Sequence, residues 1–574
     1  MSLDALRILL LCILGIPAGA AILVAALGPR LLPAIRWISL GAVVLNLLLT
    51  IILCANTSER LQLPRETATN STFQPICVPG DPGGQTETHA THWELLRIQF
   101  ANERATAIQF YLGLDGLNIW LVLLTSFLMV PCVLVSWNSI QERGNEYYAW
   151  LLALQSALLG VFLAFDIILF YVFFELTLVP LFFLIGIWGG PARREAARKF
   201  FLFTLTGSLI TLLGMIGMVI AVYQQTKVLT FSIPELVSRV QAELALQSPE
   251  RAAFWHQVQI YVFLALAVGF AVKVPLFPLH TWLPLAHVEA PTAGSVLLAG
   301  VLLKLGTYGF LRLCLPLTPD AALSIGVPLI GTLSIIGIVY GALCAFAQDD
   351  VKKLVAYSSV SHLGFCMLGM FALNAVGIAG SLMQMINHGL STGGLFLLVG
   401  MLYERYHTRM MKDYGGLAAK LKVLSLFMVF ICLSSVGLPF LNGFVGEVLM
   451  LAGVFDLRSD AVNGIVFAVA GAAGIVLGAW YLFTMLQRVF FGPLHEPHHG
   501  AGSLIFDLSV RELAAMIPLA VVCLLIGILP QPILNTARRD IEVVARISAA
   551  AYDRAHAAAA SNAPQTDAPQ TAAR

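Results

Sequence analysis

The chain has 574 residues, of which 58% are hydrophobic and only 11% are charged. A soluble chain of this length would form several domains with charged surfaces, and soluble proteins carry about 25% charged residues. The 33 basic and 32 acidic side chains nearly cancel, so no positive excess is available to bind a phosphate backbone. The composition excludes a soluble globular protein and disfavours a nucleic-acid partner, and it indicates a polytopic membrane protein.

Motifs for cofactors and metals are missing from the sequence. The nine cysteines are scattered and none forms a C-x-x-C pair, which argues against an iron–sulfur cluster or a zinc–thiolate site. No G-x-G-x-x-G or Walker sequence occurs. The string His-Glu-Pro-His-His at 495–499 has the spacing of a zinc-binding helix, but Pro497 disfavours that helix. We predict that this chain binds no metal and no cofactor.

Apolar runs long enough to cross a bilayer, about 20 residues each, recur along the chain. They predict an all-α polytopic membrane protein with about fourteen transmembrane helices. The predicted spans lie near 8–27, 36–55, 117–137, 148–165, 166–187, 200–223, 259–285, 293–315, 326–347, 353–373, 376–402, 422–455, 463–490 and 513–532.

Basic residues concentrate in one set of alternate loops. This set contains Arg30, Arg36, Arg143, Arg193, Arg194, Arg198, Lys199, Lys352, Lys353, Arg405, Arg409, Lys412, Lys420 and Lys422. Short loops rich in Lys and Arg face the cytoplasm. The pattern therefore predicts that these loops are cytoplasmic and that both termini lie on the outer side.

Two predicted spans contain helix-breaking residues at membrane depth. The first break contains Pro275 and Pro278, and the second contains Gly437 and Pro439. Backbone groups freed in this way are tolerated only inside protein or beside water, and two matching broken helices are typical of transporters built from repeats. The sequence therefore predicts two repeats with one broken helix in each.

The repeats divide the chain into five parts. We expect N-terminal helices 1–3 with an outer loop at 56–116, a first repeat of helices 4–8, a second repeat of helices 9–13, a final helix 14, and a disordered tail. The corresponding ranges are 1–147, 148–315, 316–490, 491–547 and 548–574.

Six ionisable residues lie deep in the predicted spans or beside a break: Glu175, Lys273, Lys304, His362, His388 and Glu447. A charge at the bilayer centre costs about 2.5–3.5 kcal/mol on insertion scales. A single buried histidine is more often a hydrogen-bonded packing residue, but two lysines, two carboxylates and two imidazoles together favour a proton relay. A carboxylate beside a lysine holds the lysine charged, and loss of that carboxylate favours release of the proton.

The segment that follows the first break carries three more ionisable residues, His280, His287 and Glu289. One interpretation is a loop that closes the end of a helix. The other is a path by which protons are taken up from the cytoplasm. The sequence supports the two interpretations about equally.

The motifs around these residues resemble those of the antiporter-like subunits of respiratory complex I. Glu447, where two other branches of the family usually carry lysine, and the lack of a predicted long helix after the fourteenth span make the chain most similar to the M-type branch, chain 4 in mitochondria. Leu285 departs from the pattern, because many relatives have an acid there; Glu289 is a nearby carboxylate. The matching stretches are 273–284, 287–295, 304–306, 349–364, 387–389 and 443–447.

The resemblance implies fourteen helices with two inverted five-helix repeats, each with a broken helix. It implies that Glu175 pairs with Lys273, that Lys304 lies at the centre of a hydrated polar axis, and that two histidines, His362 and His388, continue this axis to Glu447. It further implies a proton-translocating subunit of NADH–quinone oxidoreductase in the bacterial cytoplasmic membrane. NADH, FMN, iron–sulfur clusters and quinone would then be bound by partners: the L and N subunits, small membrane subunits and a peripheral arm, with lipids around them.

Three alternatives remain open at this point. The same motifs occur in multi-subunit Mrp-type sodium/proton antiporters and in related membrane-bound hydrogenases. In a third interpretation, the buried charges of the chain are paired only to lock the helices of a structural scaffold together.

Overall fold

The protein is almost entirely helical in a computed structural model that describes residues 1–62, 72–80, 91, 93–98, 106–246, 249–459, 461–497 and 505–562. Two short strands, β1 (Glu94–Ile98) and β2 (Thr106–Gln109), form an antiparallel pair in which Leu96 lies opposite Ile108. This pair belongs to the long loop between the second and third helices. A two-stranded pair cannot form a core of its own, so the fold rests on the helices.

The first half of the chain begins with α1 (Leu3–Ala26), α2 (Leu32–Gln62), α3 (Ile119–Ser139), α4 (Gly144–Leu163), α5 (Ile167–Leu176), α6 (Leu178–Trp188) and α7 (Arg193–Thr226). It continues with α8 (Ile233–Leu244), α9 (Pro249–Lys273), α10 (Leu283–Glu289) and α11 (Thr292–Leu317). Helices α5 and α6 are two parts of one span, interrupted at Thr177.

The second half contains α12 (Pro319–Phe346), α13 (Val351–Met370), α14 (Ala375–Tyr406), α15 (Lys422–Ser435), α16 (Asn442–Phe455), α17 (Gly464–Phe490), α18 (Val510–Ile528) and α19 (Gln531–Asn562). Polar side chains begin several of these helices, because an Asp or Asn oxygen can accept from the free N–H groups of the first turn. Asp350 accepts from Lys352 N and Lys353 N at the start of α13, and Asn374 accepts from Gly377 N at the start of α14.

The described residues contain 12 helices that are long and apolar enough to cross a membrane. The two other predicted spans correspond to α13, whose polar residues lower its hydropathy, and to the pair α15 and α16, which are too short individually. The prediction of an all-α polytopic membrane protein is therefore confirmed, and the chain is an integral membrane protein.

Both predicted breaks interrupt a helix in the structure. The first separates α9 from α10, and the indole Nε1 of Trp282 donates to the carbonyl of Val272 at 2.9 Å across it. The second separates α15 from α16, and Gly437 within it has a φ of 78°, which favours glycine. The carbonyl of Val272 at the first break is thus held by a protein contact, and so is that of Leu433 at the second, which accepts from Leu438 N at 3.1 Å, as the membrane interior requires.

The breaks occupy equivalent places in two sets of helices. Each break falls in the fourth span of a five-span set, the first set running from α4 to α11 and the second from α12 to α17. Because five is an odd number, the second set starts at the opposite end of the bundle from the first. This arrangement fits the expected inverted repeats, while the exact domain boundaries stay a prediction.

The basic loops lie together at one end of the bundle, which we call the basic end. Lys352 Nζ donates to Ala290 O at 2.6 Å, and Arg409 Nη1 donates to Val288 O at 2.6 Å, so the loops after α10, α12 and α14 are tied to one another. The N-terminus lies at the opposite end, where the backbone oxygen of Met1 accepts from Arg60 at the end of α2. The described part of α19 also lies at this opposite end, as its contacts with the loops before α3 and α12 show.

The C-terminal region differs from the sequence-based expectation. Residues 548–562, expected to be disordered, form the end of α19, and a long helix does follow the fourteenth span. The search for apolar runs of membrane-spanning length missed α19 because this helix is amphipathic. Its residues Ile533, Ala537 and Val544 are buried, and charged residues alternate with them. The rest of the expected disordered tail, 563–574, lies outside the described residues.

A buried ion pair fixes the end of α11 opposite the basic end. Arg312 donates to both carboxylate oxygens of Asp115, at 2.5 and 2.7 Å, and neither side chain is more than 1% exposed. Asp540 of α19 accepts from Gly116 N at 2.7 Å beside this pair. Burial and the neighbouring Asp115 raise the pKa of Asp540 to about 7. The pair and the carboxyl group together anchor α19 to the bundle.

Candidate functional site: a buried line of ionisable side chains

Glu175 and Lys273 form the first group of the buried line. The ammonium of Lys273, at the last residue of α9, lies 4.6 Å from the centroid of the Phe174 ring, a cation–π contact. Glu175 is the carboxylate whose charge acts on Lys273. The expected pairing is not closed, however, because no ion pair within 4 Å joins these two described residues, and Glu175 Oε1 is buried without a hydrogen-bond partner. We call this group, whose two charged side chains are not in direct contact, the open pair.

Lys304 lies at the centre of the line, between two widened turns of α11. These π-helical segments are Leu298–Leu302 and Phe310–Cys314, and such turns often occur at functional sites. In the first of them Leu303 N donates to Leu298 O, one residue further back than in an α-helix. The carbonyl of Ala299 can then accept from Lys304 Nζ, at 2.5 Å.

Lys304 also contacts the first of two histidines. Its Nζ lies 2.7 Å from His388 Nδ1, and Lys304 is completely buried. The His388 ring lies across from the His362 ring, with 5.8 Å between centroids. His388 Nε2 is buried without a partner. The structure therefore brings Lys304, His388 and His362 together, and the role of the two histidines as connectors stays a prediction.

Glu447 lies next to the second break. Its buried carboxylate packs against the α-carbon of Gly437, so closely that a β-carbon there would be 2.3 Å from Oε2. A glycine is therefore required at this point of the break. Among the described residues, no hydrogen bond links Glu447 directly to His362 or His388.

The groups of Lys273 and Lys304 are linked by the packing of their helices, α9 and α11. Gly306, on α11 just beyond Lys304, packs against the end of α9, where an added β-carbon would lie 2.8 Å from Phe270 O. This close approach brings the broken end of α9, which carries Lys273, onto the helix of Lys304. In the described part of the chain, no direct hydrogen bond joins the two lysines.

A cavity of about 590 Å³ opens at the basic end. Its lining includes four charged side chains, Glu289, Lys352, Glu404 and Arg409. Glu289 Oε2 accepts from Ala192 N at 2.8 Å, at the start of α7, where a helix N-terminus favours an anion. The expected uptake residue Glu289 is thus at a water-accessible position, and the cavity places a second carboxylate, Glu404, near it.

The two other predicted uptake residues lie deeper than this cavity. His287 is completely buried and stacks on Phe396 with 4.5 Å between centroids, and neither of its ring nitrogens has a hydrogen-bond partner among the described residues. His280 packs between Phe277 and Tyr340 near the first break, and its Nδ1 is also without a partner. A buried imidazole nitrogen without a partner is costly and requires an explanation.

The described part of the zinc-like string, 495–497, is not helical. His495 pairs through its backbone with Gly415, and the residues from Pro493 to Pro497 have no helical structure. His498 and His499 lie outside the described residues. Within the described ranges, no group of three or more His, Cys, Asp or Glu residues could hold a metal ion.

Sequence reasoning missed two functional or structural side chains of this region. Tyr481 of α17 is 1% exposed, and its hydroxyl lies 3.4 Å from His362 Nε2. It was missed because a neutral tyrosine in an apolar helix does not, from sequence alone, indicate a functional residue. Arg312 lies in the same predicted span as Lys304, and its charge in an apolar run was the signal that could have found it.

The fold and the buried line together define a polytopic transport protein of the antiporter-like class. The model of the family described as "NADH:quinone oxidoreductase/Mrp antiporter, TM" matches residues 164–477. A Rhodobacter capsulatus protein named NADH-quinone oxidoreductase subunit M is 38% identical over 526 residues, covering 90% of this chain and 92% of that protein. This chain belongs to the NADH:quinone oxidoreductase/Mrp antiporter membrane-subunit family.

Two solved structures have the same fold. A chain of respiratory complex I from Thermus thermophilus is 29% identical, with a TM-score of 0.73 and coverage of 94% of this chain and 99% of that chain. A chain of the Mrp complex from Dietzia has a TM-score of 0.72 at 18% identity, covering 97% of this chain and 99% of that chain. The second likeness supports the fold alone.

Proposed function

We propose that this chain is a proton-translocating membrane subunit of an NADH–quinone oxidoreductase, driven by electron transfer in partner subunits. The observation that carries the proposal is the contact between Lys304 Nζ and His388 Nδ1 at a fully buried position. An ammonium held by a carbonyl and an imidazole, without a carboxylate, can pass its proton to the imidazole. Membership of the family, and relatives named as subunit M of this enzyme, support the same function.

Protons would enter at the cavity of the basic end, pass Glu289 and His287, and reach Lys304. When Lys304 gives a proton to His388, the ammonium becomes a neutral amine and His388 becomes an imidazolium. His388 then passes one proton to His362, across the 5.8 Å between their ring centroids, and the charge moves toward Glu447. His280 is a second candidate for uptake, beside the first break.

Glu175 and Lys273 would act as the switch of this line. When Glu175 approaches Lys273, the carboxylate stabilises the ammonium; when it withdraws, the buried lysine releases its proton more readily. The open pair and the unpartnered Glu175 Oε1 support such movement. Lys273 and Lys304 lie on helices packed together at Gly306, so a charge change at one lysine acts on the other through a short, protein-filled distance.

The surroundings of the chain follow from the same proposal. The basic end would face the cytoplasm of a bacterium, and both termini would lie on the outer side of the cytoplasmic membrane. L-type and N-type antiporter-like subunits, small membrane subunits and a peripheral arm would be the partners. NADH, FMN, iron–sulfur clusters and quinone would be bound by those partners rather than by this chain.

The test compares two lysine variants in the assembled complex. Lys273→Ala removes the switching cation, and Lys412→Ala removes an exposed lysine at the basic end as the control. In vesicles supplied with NADH, we expect proton uptake to fall about 100-fold in Lys273→Ala, because a positioned acid–base group is lost, and to stay unchanged in Lys412→Ala. Unimpaired uptake in an assembled Lys273→Ala complex would contradict the proposal.

The Mrp-type antiporter is the second candidate, because the Dietzia Mrp chain has nearly the same fold. Replacement of sodium by choline separates the two functions. Proton uptake that depends on NADH and not on sodium supports the oxidoreductase, whereas a requirement for sodium supports the antiporter. The scaffold interpretation predicts that the double variant Glu175→Leu and Lys273→Leu assembles and still pumps, because replacing a buried ion pair with apolar residues is often tolerated.

A further inference from the structure

The buried line is interrupted between His362 and Glu447. No hydrogen bond joins these two side chains in the described part of the chain. Both side chains are buried, His362 on α13 and Glu447 on α16. A proton that reaches His362 therefore needs a further group before it can reach Glu447.

Tyr481 of α17 occupies this interval. Its hydroxyl lies 3.4 Å from His362 Nε2, and the side chain is 1% exposed. The hydroxyl also interacts with the side chain of Ser358, one turn before His362 on α13. Leu451, one turn after Glu447 on the same face of α16, packs against Gly471 of α17, so Glu447 faces the helix that carries Tyr481. Tyr481 is therefore placed between the last histidine and the terminal carboxylate.

The backbone of α17 leaves room beside this hydroxyl. Gly478 lies almost one turn before Tyr481, and a β-carbon added there would be 3.9 Å from the tyrosine oxygen. Helical side chains point back toward the N-terminus of their helix, so the phenol lies over Gly478. The open space at this glycine leaves the hydroxyl room to move.

We propose that Tyr481 relays protons from His362 to Glu447, an inference that rests on the proposed proton-translocating function. The imidazolium of His362 gives its Nε2 proton to the tyrosine oxygen while the original hydroxyl proton passes to the Glu447 carboxylate. One N–H bond and one O–H bond break, and two O–H bonds form. The tyrosine ends as a neutral phenol, and one proton has moved to Glu447.

A neutral hydroxyl suits this position better than another ionisable residue. It accepts one proton and donates another, as the relay requires, and it adds no charge to the membrane interior, where each charge is costly. The second partner, Ser358, can hold the phenol in place while it turns. A phenylalanine would fill the same space and could not carry a proton.

The experiment is Tyr481→Phe in the assembled complex, with Tyr147→Phe as the matched control. Tyr147 is equally buried, and its hydroxyl contacts Ser136 at 2.8 Å, away from the ionisable line. We expect NADH-driven proton uptake into vesicles to slow about tenfold in Tyr481→Phe, the effect of losing one hydrogen bond to a charged group. Tyr147→Phe should pump at the normal rate.

Two further readouts separate a relay from a packing role. NADH oxidation by a hydrophilic electron acceptor should be normal in Tyr481→Phe, because the peripheral arm is untouched. The solvent isotope effect on proton uptake should also change in this variant, since a proton-transfer step is altered. Equal uptake and equal isotope effects in Tyr481→Phe and Tyr147→Phe would overturn the relay.

The relay can fail while the proposed function survives. If Lys273→Ala stops proton uptake and Tyr481→Phe does not, Tyr481 is not the relay, and the route to Glu447 runs elsewhere. If neither variant affects uptake, the proposed function itself is wrong.

Discussion

The helix α11 carries two completely buried cations that the protein treats in opposite ways. Arg312 is held by two hydrogen bonds from its guanidinium to Asp115, and three aromatic rings cover it. Lys304, about two turns earlier, contacts a carbonyl and an imidazole, and no carboxylate of the described residues forms an ion pair with it. Arginine cannot lose its proton in a protein, whereas a buried lysine can. The comparison separates a charge that fixes structure from a charge that can be transferred.

The largest effect is expected from removing the partner of the fixed charge. Asp115→Ala leaves Arg312 buried and unpaired, which costs about 3–5 kcal/mol. We expect little assembled protein in the membrane, measured by its amount after extraction in mild detergent. Normal assembly of Asp115→Ala would show that Arg312 is neutralised by another group, and the contrast between the two cations would weaken.

The next effect concerns the transferable charge. Lys304→Arg keeps a cation in place but removes the ability to release a proton, so we expect proton uptake to fall about 100-fold. Assembly of the complex, followed on native gels, should be close to normal. Substantial pumping by an assembled Lys304→Arg complex would mean that Lys304 acts only through its charge.

A smaller loss is expected at the open pair. Glu175→Gln keeps the shape of the side chain and removes the charge that acts on Lys273. We expect proton uptake to fall about tenfold, as for the loss of one charged partner. Glu146→Gln, in an exposed salt bridge with Arg143, is the control and should pump normally.

The reciprocal change at the fixed charge should affect stability and leave transport intact. Arg312→Lys keeps one bond to Asp115 and loses the bidentate geometry, at a cost of about 1–2 kcal/mol. We expect a lower melting temperature in detergent and a normal rate of proton uptake. A loss of uptake in this variant would place Arg312 in the transport path.

The smallest effect is expected at Asp540. Burial raises the pKa of this carboxyl to about 7, so the folded protein holds the proton at pH values where the unfolded chain has lost it. Its contribution therefore favours the folded state at low pH and is lost as the pH rises toward about 7. The melting temperature should therefore fall as the pH rises toward about 7. In Asp540→Asn this fall should be smaller by about 1–2 °C. An unchanged pH profile would indicate that Asp540 remains ionised.

The sequence predicted much of this architecture because membranes impose simple rules. Length and hydropathy located the spans, prolines and glycines located both breaks, and charge at membrane depth selected residues such as Lys304 and His388. Those two side chains, which lie on separate helices, are in contact in the structure, and the roles assigned to the ionisable residues stay predictions.

Other features depend on packing that no single-residue rule describes. No residue type in α11 marks the π-turn that frees the Ala299 carbonyl for Lys304. The cation of Lys273 lies on Phe174 because the ring and the ammonium meet across two helices. The amphipathic α19 has an apolar stripe rather than an apolar run, so a search for membrane-length runs could not find it.

The position of α19 has a consequence for biogenesis. Its contacts reach Gln74 and Gly116 near the start of the chain and Asp320 near the middle. The N-terminal segments are synthesised first, so the early helices are in the bilayer before the 32 residues of α19 emerge and bind them. A nascent chain stopped at the end of α18 would therefore insert normally yet stay a substrate for membrane proteases.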